Sequence, residues 1–134
     1  MNVPIEQIEQ VKENETIRLA PNLIVWKEGS SYNLDVTNRQ FDELENLLKN
    51  QNGELFYIVD LSVANRPPPE IVQLLEERLG PIKNKFKHVA VYTGKNYIML
   101  LGIKFYFIRF DFLSYSAHGN VKNALNSFLS HGSQ

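Results

Sequence analysis

The chain has 134 residues, 43% of them hydrophobic and 22% charged, with a formal net charge of −1. That usage is ordinary for a globular protein, so it excludes a disordered or fibrous chain and leaves enough apolar surface for a sizeable core. There is no cysteine, which removes disulfides, thiolate metal sites and cysteine nucleophiles together and fits a reducing, cytoplasmic setting.

The first residues, MNVPIEQIEQVKENE, are polar and acidic. They lack the basic start and apolar centre of a secretory signal. Residues 1–14 and 131–134 read as flexible ends of a single domain spanning 1–134. Charge is uneven along the chain. Residues 1–80 carry 14 acidic and 7 basic side chains, whereas in 81–134 the one acid, Asp111, stands against Lys83, Lys85, Lys87, Lys95, Lys104, Arg109 and Lys122. A split of this kind can support head-to-tail association, a homodimer included, or draw an anionic partner to the C-terminal half, or vanish once distant segments mingle in the fold.

In chain order, Glu15 to Leu19 and Leu23 to Lys27 are short β-favouring runs around Ala20-Pro21-Asn22, which predicts a hairpin. After Val36 the period becomes helical, with Phe41, Leu44, Leu47 and Leu48 on one side, Thr37 or Asn38 as the cap and Gln51-Asn52-Gly53 as the stop. Leu55 to Val59 is a continuous apolar run ending in Asp60, the pattern of a central strand covered on both faces. Arg66-Pro67-Pro68-Pro69-Glu70 then opens a helix carrying Ile71, Leu74, Leu75 and Leu79, because proline at a helix start forfeits an amide that has no partner there. Gly80-Pro81 ends it.

His88-Val89-Ala90-Val91-Tyr92 predicts the next buried strand, closed by Thr93-Gly94. The stretch from Asn96 to Phe112, NYIMLLGIKFYFIRFDF, is apolar almost all round. It is too short and too charged for a membrane span of about 20 residues, so it reads as a buried helix, or as one that also offers Phe105, Tyr106 or Phe110 to a partner or apolar ligand. Leu113 to Ala117 reads as a last strand. Asn120 then caps a final helix with Val121, Ala124, Leu125, Phe128 and Leu129 inward.

Chemistry-bearing motifs are few. Asp60 ends a central strand, where open α/β sheets place ligands; its carboxylate can equally hold the amides of the following turn. His88, His118 and His131 have no metal-ligand spacing, though a histidine could meet Asp60 in space as an acid–base pair. Thr93-Gly94-Lys95 looks like the end of a phosphate loop, but Val89 stands where the earlier glycine belongs and Asn96 where the hydroxyl belongs. A weaker anion site at those amides stays open. Ser114-Tyr115-Ser116 is not a nucleophile elbow. A pI near 6.3 speaks against a nucleic-acid footprint, and no motif calls for a cofactor or metal.

The assembled order is hairpin, helix, strand ending in Asp-Leu-Ser, helix, strand ending in Thr-Gly, helix, strand, helix. It resembles the STAS domain of anti-sigma-factor antagonists, and more narrowly the small stand-alone bacterial STAS-like proteins. The residues carrying the likeness are Tyr57-Ile58-Val59-Asp60-Leu61-Ser62, Arg66-Pro67, His88 to Gly94 and Asn120 to Leu125, within about residues 15–130. The resemblance implies a mixed β-sheet of about five strands with about four helices packed on it, and a non-enzymatic module that binds another protein. In the antagonists a phosphorylatable serine opens the helix after Asp-Leu-Ser. Here Pro68-Pro69-Glu70 occupies that place, so the switch is missing, and Ser62 reads as a turn cap. The expected contact surface is Asp60, Ser62, Arg66, Pro67, Pro68, Pro69 and Glu70, with Thr93, Gly94, Lys95, Phe105 and Tyr106 as a ligand or interface region. Two other readings are a carrier of an apolar small molecule, using the greasy stretch, and an enzyme using Asp60 with a histidine.

Overall fold

The three apolar runs form the middle of a sheet. A computed structural model of the chain describes residues 3–96 and 114–131. In chain order these hold α1 (Ile5–Glu9), β1 (Thr16–Ala20), β2 (Leu23–Lys27), α2 (Leu34–Leu48), β3 (Phe56–Asp60), α3 (Pro69–Leu79), a 3₁₀ turn (Lys83–Lys85), β4 (His88–Tyr92), β5 (Tyr115–His118) and α4 (Val121–His131). The strands lie in the order β1-β2-β3-β4-β5. β1 pairs antiparallel with β2 through the expected hairpin, and the other pairings are parallel. Among the described residues the architecture is α/β, a five-stranded mixed sheet with four helices, as the sequence leads one to expect. Among the described residues no helix is long and apolar enough to cross a membrane. Tyr97 to Leu113 lies outside the described residues, so the buried-helix reading of that stretch, Phe105, Tyr106 and Phe110 included, lies outside them too.

Alternation along each strand sends neighbouring side chains to opposite faces. Ile24, Trp26, Tyr57, Val89 and Val91 join Phe41, Leu44, Leu48, Ile71, Leu75 and Leu79 of α2 and α3 in one core. Leu23, Val25, Phe56, Ile58 and Ala90 join Ile8, Val121, Ala124 and Phe128 of α1 and α4 in the other. Burying each such Leu, Ile or Phe contributes about 1.5–3 kcal/mol. Ring contacts lock both layers: Trp26 on Phe41 at 4.7 Å on one side, Phe56 on Phe128 at 4.7 Å on the other.

Three local details differ from the sequence reading. Helix α2 is capped by Asn33 in place of Thr37 or Asn38: Asn33 is extended (φ −147°, ψ 128°) and its Oδ1 accepts from the amides of Asp35 and Val36 at 2.9 and 3.2 Å. The first turn of α2 carries exposed Leu34 and Asp35, so the apolar period begins a turn after the helix does. β5 runs to His118, a residue beyond the expected end. α1 had no sequence signal, since a helix of five residues among glutamates shows too little periodicity; Val3, Ile8 and Val11 are nonetheless buried. Asn120 caps α4 as expected, its Oδ1 accepting from the amide of Asn123 at 2.8 Å.

Candidate functional site

The carboxyl ends of the parallel strands bring together a row of polar side chains. The register aligns Lys27 with Asp60, Asp60 with Tyr92, and Tyr92 with His118. Equal register puts the four in one lateral row on the α1/α4 face. The row behind them, Val25, Ile58 and Ala90, is apolar and fully buried.

Asp60 anchors the row. It is 1% exposed. Its Oδ1 accepts from the amide of Ser62 at 2.9 Å and its Oδ2 lies 3.8 Å from Lys27 Nζ, while its carbonyl accepts from the amide of Glu28 at 3.0 Å. A buried carboxylate is tolerated only with such partners. Asp60 therefore shapes the turn after β3, and Ser62 enters through its backbone. Burial, with the carboxylates of Asp60 and Glu9 nearby, pushes the Tyr92 hydroxyl above its usual 10.0. Burial pulls His118 below 6.5, which keeps the ring neutral there.

The turns after β3, β4 and β5 meet around Gly94. Its φ is +58°, and a Cβ there would lie 3.2 Å from Ser62 Cβ and 3.4 Å from the Tyr92 hydroxyl. Glycine meets both the backbone and the steric demand. Thr93 is fully buried, its amide donating to the carbonyl of His118 at 3.0 Å, while Lys95 is exposed. Asn96 Nδ2 reaches across to the carbonyl of Ala64 at 2.9 Å.

The loops after β2 and β3 are also tied together. Tyr32 donates its hydroxyl to the carbonyl of Asn65, and Asn65 Nδ2 donates to the carbonyl of Ser30, each at 2.5 Å. On this stitched surface stand Leu34 and Val63, 46% and 41% exposed, the large exposed hydrophobics among the described residues. Arg66, Pro69 and Glu70 are exposed beside them, with Pro67 and Pro68 half-buried. Pro69 takes the first helical position of α3 after an extended Pro68 (φ −70°, ψ 161°).

The histidines fall elsewhere than an acid–base pair with Asp60 requires. Tyr92 stands between Asp60 and His118, which places them about 10 Å apart, two strand spacings. His88 begins β4, at the opposite end from Asp60. Its ring nitrogens instead meet Ser114 and Ser116, and Ser116 also meets His118. This hydrogen-bonded chain was missed in the sequence. Its signal was the alternation Ser114, Ser116, His118 along one strand face, legible only once β5 is set beside His88. Among the described residues no cluster of three metal-ligating side chains occurs.

Two open grooves lie at the amino end of the parallel strands. One, of about 480 Å³, is lined by Glu54, Lys85, Phe86, Lys87 and Ser114 among others. The other, of about 780 Å³, is lined by Arg18, Leu19, Leu47 and Gln51 among others. Neither touches the polar row. Comparison with known proteins finds no family model, no curated protein and no solved structure that matches this chain. The likeness to the STAS family rests on the sequence motifs alone.

Proposed function

We propose that the chain is a non-enzymatic regulatory module of STAS-like kind that holds another protein with the loops at the carboxyl end of its sheet. The observation that carries this reading is the pairing of exposure with rigidity: Leu34 stands out on the first turn of α2 and Val63 on the loop after β3, and the segments leading to both are pinned by Tyr32, Asn65 and Asn96. An apolar surface held in place loses little freedom on binding, so its burial converts efficiently into affinity. Arg66 and Glu70 supply a charged rim around it. The proline at the place of the antagonists' serine makes the contact constitutive rather than phosphorylation-gated.

The carrier reading would draw on Phe105 and Tyr106, outside the described residues. The enzyme reading would need Asp60 beside a histidine, and the row sets Tyr92 between them. The enzyme reading finds less support than the binding surface.

The test compares affinity purification from the native host with wild type, Val63→Asp, and the charge reversal Arg66→Glu with Glu70→Lys. A protein held by wild type should be lost from both variants, while unfolding free energy moves by no more than about 0.5 kcal/mol, as for other exposed positions. Full retention of that protein by both variants overturns the assignment.

A further inference from the structure

β5, last in the strand order of the described residues, turns Ser116 and His118 toward the α1/α4 face, with Ser114 just before it. Buried His88 meets both serines: Nδ1 lies 2.6 Å from Ser114 Oγ and Nε2 lies 2.7 Å from Ser116 Oγ. Ser116 Oγ lies 2.6 Å from Nε2 of His118. One hydroxyl thus sits between two imidazoles, and a hydroxyl has a single hydrogen to donate. With both rings neutral, Ser116 donates to one Nε2 and accepts from the other, so the tautomer of His118 fixes that of His88. We propose that His88, Ser116 and His118 form one proton-binding unit, which takes up a single proton on acidification and couples it to the docking of β5 and α4 on the sheet.

The geometry sets the count. Both Nε2 atoms bond the same oxygen, so they are at most about 5.3 Å apart. A first proton on either ring leaves every bond in the chain intact. Ser116 accepts from the charged ring and donates to the neutral one. A second proton places two cations across one oxygen, and like charges at that distance disfavour it.

Among the described residues, Phe56 of β3 and the edge of Phe128 of α4 lie beside His88, its ring centroid 5.8 Å from that of Phe128, while the preceding Lys87 is engaged by Glu54 at 3.7 Å. Beside His118 stands Tyr92 of β4, then Asp60 and Lys27 further along the row, with Glu9 of α1 near Tyr92 and exposed Lys122 on α4. Burial lowers His118 from 6.5. A histidine with a lowered value in the fold leaves the unfolded chain binding more protons below 6.5, so its stability is complete above that pH and declines as pH falls through the window beneath it. Among the described residues β5 has β4 as its one strand neighbour, so the loss should surface first as local opening of β5.

The test follows the histidine ring signals of the full chain by NMR between pH 8 and 4.5, in wild type, His118→Gln and Ser116→Ala. His88 and His118 should share one first step in wild type, and His118→Gln should move the His88 step by about one unit or more, the mark of coupled sites. Exchange of the amides of 115–118 should accelerate about tenfold beyond the intrinsic pH effect between pH 7 and 5.5, a factor equal to one unit of pKa. Ser116→Ala should separate the two curves. If that variant does not fold, Ser116→Thr, which keeps the hydroxyl, must keep the shared step. Separate curves in wild type that ignore each other's replacement, or β5 protection that does not change with pH, overturn the proposal.

Discussion

The two faces of the sheet solve burial differently. Under α2 and α3 the strands present Ile24, Trp26, Tyr57, Val89 and Val91, an apolar field that runs the length of β2 to β4. Under α1 and α4 an equally buried field of Leu23, Val25, Phe56, Ile58 and Ala90 gives way to Lys27, Asp60, Tyr92 and His118 at the carboxyl ends and to the His88–Ser116 contact toward β5. The first face is explained by packing alone. The second keeps polar groups where burial penalises them, and each must hold a partner to stay. A difference of this kind marks where a fold does more than cohere.

The comparison breaks most visibly at the centre of the first face. Phe41 is fully buried, tilted against Trp26 with ring centroids 4.7 Å apart and capped by the Arg78 guanidinium 5.2 Å above its ring. Phe41→Ala should cost about 3–5 kcal/mol, the usual range for a fully buried aromatic. Urea unfolding monitored at Trp26 measures it. A loss below about 1 kcal/mol would mean that α2 is not seated as described.

Asp60 sharpens the second face. Asp60→Ala strands the Ser62 amide and removes the charge opposite Lys27, whose side chain is 14% exposed. An orphaned buried group costs about 1–3 kcal/mol, and part of the Lys27 loss is relieved by solvent at that exposure. Asp60→Asn retains an oxygen acceptor for Ser62 and should lose distinctly less. If the two variants unfold at the same urea concentration, the turn does not depend on that hydrogen bond.

Much of the fold was legible because the core strands are short continuous apolar runs. Leu23 to Lys27, Phe56 to Asp60 and His88 to Tyr92 declare themselves by composition, and Pro69 declares the start of α3 through backbone chemistry. The cap of α2 was misplaced because exposed Leu34 sits inside the first turn, where periodicity is blind. Asp60 was legible as a residue but not as a member of a row. A lateral row depends on the relative register of four strands far apart in sequence, and register is a property of packing between segments, not of any one segment. The same reason hid the bridge from His88 to Ser116 and on to His118.

The smallest effect tests the exception on the apolar face. Glu28 follows Trp26 in strand parity and is 5% exposed, with Oε2 accepting from Trp26 Nε1 at 3.3 Å. Burial raises its carboxyl above 4.5, against the opposing pull of the Trp26 and Gly29 hydrogen bonds. A carboxyl raised in the fold contributes fully below its unfolded value and loses that contribution as pH climbs through the raised one. Glu28→Gln keeps an acceptor for Trp26 and has nothing to ionise. The variant should therefore match wild type in Tm near pH 4.5 and exceed it at pH 7, with the gap opening between. This trend runs opposite to that of the histidine unit, which weakens the fold as pH falls. Because the histidines are common to both proteins, the difference between the two melting curves isolates Glu28. A difference that stays flat with pH would place Glu28 in contact with water and make the first face apolar only in its middle.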